Sequence, residues 1–201
     1  MGKMLNSLHQ IWLQGGSVTK PLDGFVQHIA ELCAAAGWSY TLWTAQDMER
    51  LSKKSSTMFY MLSPKCCNIT QQSNIARYLI LRDYGGLYLD TDVELCLLPG
   101  QLEGAWIPAT SAMHGIGSFA LACPSHHPWV ERIVSMCTEI DLGISCSAGS
   151  KLVAKSKGPD VNVWPKRVWS NRNGQPVLGT HAWRGHSMGH FSKPPVLQGE
   201  A

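Results

Sequence analysis

Apolar positions follow two rhythms along this chain, one of period two and one of period near 3.6. Residues 8–13 (LHQIWL) form a short run of strand-forming residues stopped by Gly15 and Gly16, which predicts a first strand. Pro21 then opens a predicted helix reaching Ala36, with Phe25, Ile29 and Leu32 on one face and Gly37 ending it. Residues 38–43 (WSYTLW) alternate and read as a second strand, after which Thr44 suits the N-cap of a short helix over 46–51. Residues 52–68 are polar, then apolar, without a period that assigns them. The next helix starts at Thr70 or Gln71, carries Arg77 and breaks at Gly85 and Gly86, and the spacing predicts an extended segment over 87–92. Residues 105–109 and 118–123 read as strands, and Pro128 as the first turn of a helix reaching about Glu139.

Strands that alternate with helices predict an α/β fold with a mostly parallel central sheet. After Asp141, glycine, proline and tryptophan dominate, which predicts a loop-rich C-terminal part covering one edge of the sheet. Residues 191–201 are expected to form a flexible tail. No internal repeat is present.

Composition narrows the function classes. The chain has 201 residues, enough for one domain with a sizeable core, and its 44% hydrophobic and 15% charged content is that of a globular protein. A net charge of +3 without a dense Lys/Arg stripe suits a small anionic substrate and argues against nucleic acid. No apolar run is long enough to span a membrane, so no transmembrane segment is expected. The N-terminus lacks the apolar core of a secretory signal, and Asn6 stands where a myristoylation signal needs Ser or Thr. The seven cysteines show no Cys-x-x-Cys pair, which points to reduced thiols in a cytoplasmic protein and away from zinc.

The chemistry concentrates between Ser73 and Glu94 (SNIARYLILRDYGGLYLDTDVE). Residues i and i+2 of a strand share a face, so Asp90 and Asp92 would project together if the segment stays extended. Two carboxylates this close repel one another unless a cation lies between them. Hard oxygen ligands of this kind suit Mg²⁺ or Mn²⁺, with substrate phosphates completing the shell. Seven aspartates scattered at random yield such a triplet often, so an exposed acidic turn is the plainer reading of the triplet alone. Its surroundings carry the weight.

Those surroundings resemble the sugar-binding region of DXD-motif glycosyltransferases, and among them glycosyltransferase family 32. That family includes capsular-polysaccharide and initiating mannosyltransferase types and is related to the catalytic domain of glucosylating clostridial toxins. Its pattern of a helical Arg, a Gly-Gly turn, an aromatic residue and Asp-x-Asp is met here by Arg77, Gly85 and Gly86, Tyr88, and Asp90-Thr91-Asp92. HQIWLQGG resembles the family's first strand, and WSYTLWTAQDM its second.

The resemblance implies a single GT-A-type (Rossmann-like) domain over about 1–190. It implies a metal-dependent transfer of a hexose from a nucleotide-diphosphate sugar (UDP- or GDP-linked) to an acceptor hydroxyl, with retention of configuration. The acceptor would be a glycan, a lipid-linked glycan or a protein. Asp90, Asp92 and Arg77 would be catalytic, and Mn²⁺ or Mg²⁺ would be held by Asp92 together with Asp90, directly or through water. Donor binding would fall to Ile11, Trp12, Asn74, Arg77, Tyr88, Asp90 and Trp183, with Trp12 stacking on the base and Asn74 reading sugar hydroxyls. The late THAWRGHS resembles the family's His-x-Trp-x-x-Ser-Trp, with Met188 in place of the final Trp, and offers His181 or Ser187 as a further metal ligand.

Each residue also has a plainer reading. Trp12 and Tyr88 would serve equally as core residues, and Arg77 as a surface cation paired with Asp83 or Glu94. His126-His127-Pro128 reads as a helix cap, and 147–150 as a weak match to an acceptor-side turn. Two other functions remain in view: a degenerate, non-catalytic module of the same fold that serves binding or assembly, and a phosphohydrolase using Asp90 as nucleophile. The downstream Lys and acidic pair that such a hydrolase needs are not seen.

Overall fold

The helix that carries Arg77 sets the architecture. In the computed structural model, which describes residues 6–20, 22–52, 68–110, 115–140, 147–169 and 178–181, it spans Ile69–Tyr84. It begins at Asn68, whose side chain accepts from the Gln71 N–H, and it ends where the Gly85 N–H returns to the Leu81 carbonyl. Nine of its residues are buried, including the whole run from Asn74 to Leu81, so it is an interior helix with two covered faces.

Around it the chain builds β1 (Ser7–Trp12), α1 (Leu22–Ala35), β2 (Ser39–Thr44), α2 (Ala45–Ser52), α3 (Ile69–Tyr84), β3 (Gly86–Leu89), β4 (Val93–Leu95), β5 (Ala105–Pro108) and β6 (Ala120–Cys123). There follow α4 (Pro128–Cys137), α5 (Ser150–Ser156), β7 (Val161–Trp164) and β8 (Gly179–His181). The main sheet has six strands in the order β2-β1-β3-β6-β5-β7. β1 pairs in parallel with β2 and β3, and β5 with β7, while β6 runs antiparallel to both its neighbours. A mostly parallel mixed sheet of this kind buries both faces. One face packs on α3, α4 and α5 through Ile75, Leu79, Trp129, Ile133 and Leu152. The other carries a second core with α1, through Leu8, Ile29, Cys33, Leu87 and Leu89.

Two features depart from the sequence expectation. The part after Asp141 supplies α5 and an edge strand of the main sheet, so it is less loop-rich than its composition implied. The segment over 87–92 is also not one strand. β3 ends at Leu89, and the Val93 N–H closes on the Asp90 carbonyl at 3.1 Å, which places Thr91 and Asp92 in a turn. The chain then leaves the main sheet, because β4 pairs with β8 in a separate two-stranded sheet. Asp and Thr favour such a turn through local hydrogen bonding.

The join between α3 and β3 requires its glycines. Gly85 and Gly86 have φ of 65° and 95°, and a Cβ on Gly85 would lie 2.6 Å from the Ser125 backbone nitrogen. A Cβ on Gly86 would strike the Ser7 side chain and carbonyl. His127 caps α4 by accepting from the Trp129 N–H, with Pro128 behind it, so the His-His-Pro motif is structural. Cys33, Cys96, Cys123 and Cys137 are free, and among the described residues no helix is long and apolar enough to cross a membrane. The expected tail, 191–201, lies outside the described residues.

His9 fastens β1 to its neighbours. Its Nε2–H donates to the Gly85 carbonyl at 3.0 Å, and its Nδ1 accepts from the Trp43 indole at 3.3 Å, which fixes the neutral tautomer. Burial lowers its pKa from 6.5 to about 4, against the raising effect of the Gly85 hydrogen bond. The unfolded chain therefore binds a proton that the folded chain refuses between these values. This contribution to stability is complete above pH 6.5, falls away as pH drops toward 4, and amounts to about 3 kcal/mol. Urea unfolding between pH 4 and 7 should show this slope. His9→Gln, whose amide can donate and accept in the same way but does not titrate, should flatten it.

Candidate functional site

The carboxyl ends of β1 and β3 open onto a cleft of about 240 Å³. Ligands of open α/β sheets bind at this rim. β1 contributes Ile11 and Trp12, followed by Leu13 and Gln14, and α1 contributes Leu22. α3 contributes Ile69, Thr70, Ser73 and Arg77, a stripe at helical spacing, and the far wall is Tyr88, Asp90, Thr91 and Asp92. The segments singled out in the sequence thus meet at one place.

At the mouth, Asp90, Asp92 and His181 each offer a ligand atom within 4.8 Å of the others. The turn after β3 does the work assigned above to a straight strand, turning Asp92 back beside Asp90. His181 arrives on β8, paired in register with Val93, and its Nε2 lies 3.2 Å from an Asp92 oxygen. Its ring stacks on Phe119, with centroids 4.3 Å apart and planes 8° from parallel. Two carboxylates and an imidazole form a donor set suited to Mn²⁺, since nitrogen is a better ligand for Mn²⁺ than for Mg²⁺. His181 is therefore the late-motif residue that reaches this group, whereas Ser187 and Trp183 lie outside the described residues.

Arg77 is pinned from several directions. Its Nη1 donates to the Ser118 carbonyl at 2.6 Å, and its Nη2 lies 3.1 Å from Asp90 Oδ1. Its guanidinium carbon stands 4.7 Å from the Tyr88 ring centroid. The expected partners do not hold it: Asp83 pairs with Arg82, and Arg77 is 4% exposed. Burial works against its charge, but Asp90, aided by Tyr88, Tyr78 and Asp92, outweighs burial and raises its pKa above the ordinary value. Tyr88 O–H donates to the same Asp90 Oδ1 at 2.7 Å, and burial keeps that phenol protonated by pushing its pKa well up. One Asp90 oxygen is thus committed to its neighbours, and a carboxylate has a second to offer.

Other expected donor contacts fall differently. Trp12 lines the cleft, with its indole N–H spent on the Gly15 carbonyl at 3.3 Å, so it presents a ring but no free donor. Asn74 is buried at 5% exposure and is not among the described residues lining the cleft. The helix turns about 100° per residue, so the lining stripe passes through Ser73 and Arg77 and leaves Asn74 facing the interior. Ser73, Ile69 and Leu22 went unnoticed from sequence, although the period from Ile69 to Arg77 could have revealed the stripe. The turn at 147–150 is tied to α3 instead: Gln71 donates to Ser147, and Tyr78 O–H donates to the Ala148 carbonyl.

β8 can deliver His181 only because residue 179 has no side chain. A Cβ there would lie 2.5 Å from the Glu94 carbonyl oxygen and 3.2 Å from Leu95 Cα, both backbone atoms. Gly179→Ala should push β8 away from β4 and weaken Mn²⁺ binding by about tenfold or more, the scale of a disturbed ligand support. Calorimetric Mn²⁺ titration would read this, and the melting temperature should change little because β8 is only three residues long.

Comparison with known proteins gives three likenesses. Residues 23–102 match the family described as glycosyltransferase sugar-binding region containing DXD motif. Over 99 residues the chain is 29% identical to inositol phosphoceramide mannosyltransferase 3 of Schizosaccharomyces pombe, a match covering 48% of this chain. It covers 28% of the relative, so the chain spans just over a quarter of that protein's length. Among solved structures, the PaToxG glycosyltransferase aligns over 77% of this chain and 69% of its own, with a TM-score of 0.56 and 14% identity, a likeness of fold.

Proposed function

We propose that this chain, which carries the sugar-binding region of DXD-motif glycosyltransferases, transfers a hexose from a nucleotide-diphosphate sugar to an acceptor hydroxyl with the aid of Mn²⁺. The observation that carries this reading is the meeting of Asp90, Asp92 and His181 at the mouth of a cleft walled by Trp12 and Arg77. Asp92 and His181, with Asp90 directly or through water, would hold the ion. When bound, Mn²⁺ supplies Lewis-acid stabilisation of the charge that develops on the leaving diphosphate.

The protein's own groups do the rest. Trp12 and Ile11 form a flat apolar floor for the base, with Leu22 and Ile69 facing it. Arg77 adds positive charge beside the diphosphate while it and Tyr88 hold Asp90 still, so that the carboxylate is set before the donor arrives. Among the described residues, Asp90 and Asp92 are the acidic groups lining the cleft, and both belong to the metal set. No separate carboxylate there serves as a nucleophile, which favours retention by attack from the leaving-group face, with the departing phosphate taking the acceptor proton. Trp183, if it closes over the donor, would exclude water and limit hydrolysis. The named relative, an inositol phosphoceramide mannosyltransferase, makes a mannosyl donor the first to try and an inositol-bearing lipid the first acceptor, with glycan, lipid-linked glycan and protein acceptors after it. The free thiols favour a reducing compartment, which we take to be the cytoplasm.

A thermal-shift panel of UDP- and GDP-hexoses, each with Mn²⁺, Mg²⁺ or EDTA, tests this reading. A donor at a hundredfold over its Kd should add about 2.7 kcal/mol of stability. The expected result is a shift with one nucleotide class that EDTA removes. No shift with any donor would reject transfer and leave a non-catalytic module of the same fold.

A further inference from the structure

We propose that Gln10 is a positioning residue for the metal-binding turn and acts through the main-chain carbonyl of Asp90. Gln10 sits in β1 with 0% exposure, between His9 and Ile11 and two residues from the buried Leu8. A primary amide in the middle of a buried strand is costly unless its polar atoms are paired. Here they are paired with two particular atoms. The Tyr40 O–H on β2 donates to Gln10 Oε1 at 2.9 Å, and Gln10 Nε2 donates to the Asp90 carbonyl at 3.2 Å. The direction of this relay is fixed by chemistry. The Asp90 carbonyl can only accept, so the amide nitrogen must face it and the amide oxygen must face the phenol.

The relay runs across three adjacent strands and ends where the chain leaves the sheet. Both main-chain polar groups of Asp90 are then engaged: its N–H donates to the Phe119 carbonyl at 2.8 Å, and its carbonyl accepts from Gln10 and from the Val93 N–H at 3.1 Å. The carbonyl that Gln10 grips belongs to the peptide joining Asp90 to Thr91. Rotation of that peptide would swing Asp92 relative to His181, so Gln10 governs the aim of Asp92 without touching the donor set. Phe119, which holds the N–H side, is also the ring on which His181 stacks.

The proposal rests on the metal-site reading, and its test separates the two. In the 201-residue chain, hydrogen exchange of the Val93 amide is compared with that of amides inside β1 and β3 for wild type, Gln10→Met and Tyr40→Phe. Methionine keeps the length of the side chain and fills the same space without an amide. The expected result is about tenfold faster exchange at Val93 in Gln10→Met, about threefold in Tyr40→Phe, and unchanged exchange in the strands. Equal protection at Val93 in wild type and Gln10→Met overturns the proposal. If Gln10→Met does not fold, Tyr40→Phe decides, and unchanged Val93 exchange there is the overturning result. Calorimetric titration with Mn²⁺ alone is run alongside, and Gln10→Met should bind about tenfold more weakly, as other residues that orient ligands do. A wild-type protein that ignores Mn²⁺ removes the metal reading, while the exchange data still decide whether Gln10 sets the turn.

Discussion

Asp92→Ala should eliminate measurable Mn²⁺ binding and lower sugar transfer by at least about a hundredfold. Asp92 is the member of the donor set nearest His181, at 3.2 Å, whereas an Asp90 oxygen is held by Arg77. Removing it leaves an imidazole and a carboxylate already engaged by Arg77 and Tyr88. Loss of several kcal/mol of charge stabilisation on the leaving group corresponds to two or more decades in rate. The fold should survive, because Asp92 lies in a turn and outside both apolar cores. Its removal also ends the repulsion between neighbouring carboxylates, so stability in EDTA should be unchanged or slightly higher. Mn²⁺ calorimetry, a radiolabelled transfer assay and urea unfolding together check the prediction. Transfer at the wild-type rate by a folded Asp92→Ala protein would remove the metal from the reaction.

Arg77→Met should act on both stability and activity, with an expected loss of about 3 kcal/mol of folding free energy. The guanidinium is buried, and its removal leaves the Ser118 carbonyl without its 2.6 Å donor and Asp90 without its ion partner. Breaking a buried pair by deleting one partner costs about 3–5 kcal/mol, and the lower end applies because the Asp90 side chain is 26% exposed. Arg77→Lys separates charge from geometry. It keeps a cation near Asp90 but cannot reach Ser118 and Asp90 together, since an ammonium lacks the planar fork. It should recover roughly half of the lost stability while transfer stays reduced at least about tenfold. Urea unfolding at pH 7 and steady-state kinetics at 20 °C would measure the two effects separately. A lysine variant with wild-type kinetics would mean that the fork is not needed.

The central part of the fold is legible because local and global signals agree there. Glycine at 85 and 86 is demanded by positive φ and by backbone approaching within a Cβ radius, and it marks the helix end in the sequence as clearly as in space. The first two strands and the flanking helices follow from periodicity alone. The turn at Asp90 is different. An extended Leu-Asp-Thr-Asp-Val and a turned one share the same local pattern, and the choice is made by Gln10 and Phe119, which lie far away in sequence. Asn74 was placed in the site by family pattern, whereas the helical phase puts Ser73 at the cleft. β7 is four residues, Val-Asn-Val-Trp, rich in strand formers but short and set among glycine- and proline-rich segments, whereas Gly-Thr-His of β8 owes its strand character to pairing with β4 more than to propensity. His181 could be singled out by its motif, but sequence could not choose between it and Ser187. Only the pairing of Val93 with His181 brings its ring to the aspartates.

That pairing has a consequence for the order in which the protein becomes itself. Thr180 and Glu94, neighbours across the two-stranded sheet, are 86 residues apart along the chain. Closing a loop of that size carries an entropic cost that must be met before the contact returns anything. The sheet of β1, β2 and β3 can form from residues synthesised early, and with it comes a pair of aspartates that has no imidazole yet. The chain would thus pass through a stage with a native-like sheet and only part of its ion-holding group. Mn²⁺ present during refolding should then accelerate the last kinetic phase and leave the earlier ones alone, so the ion's influence on folding would be confined to the final closure of the chain.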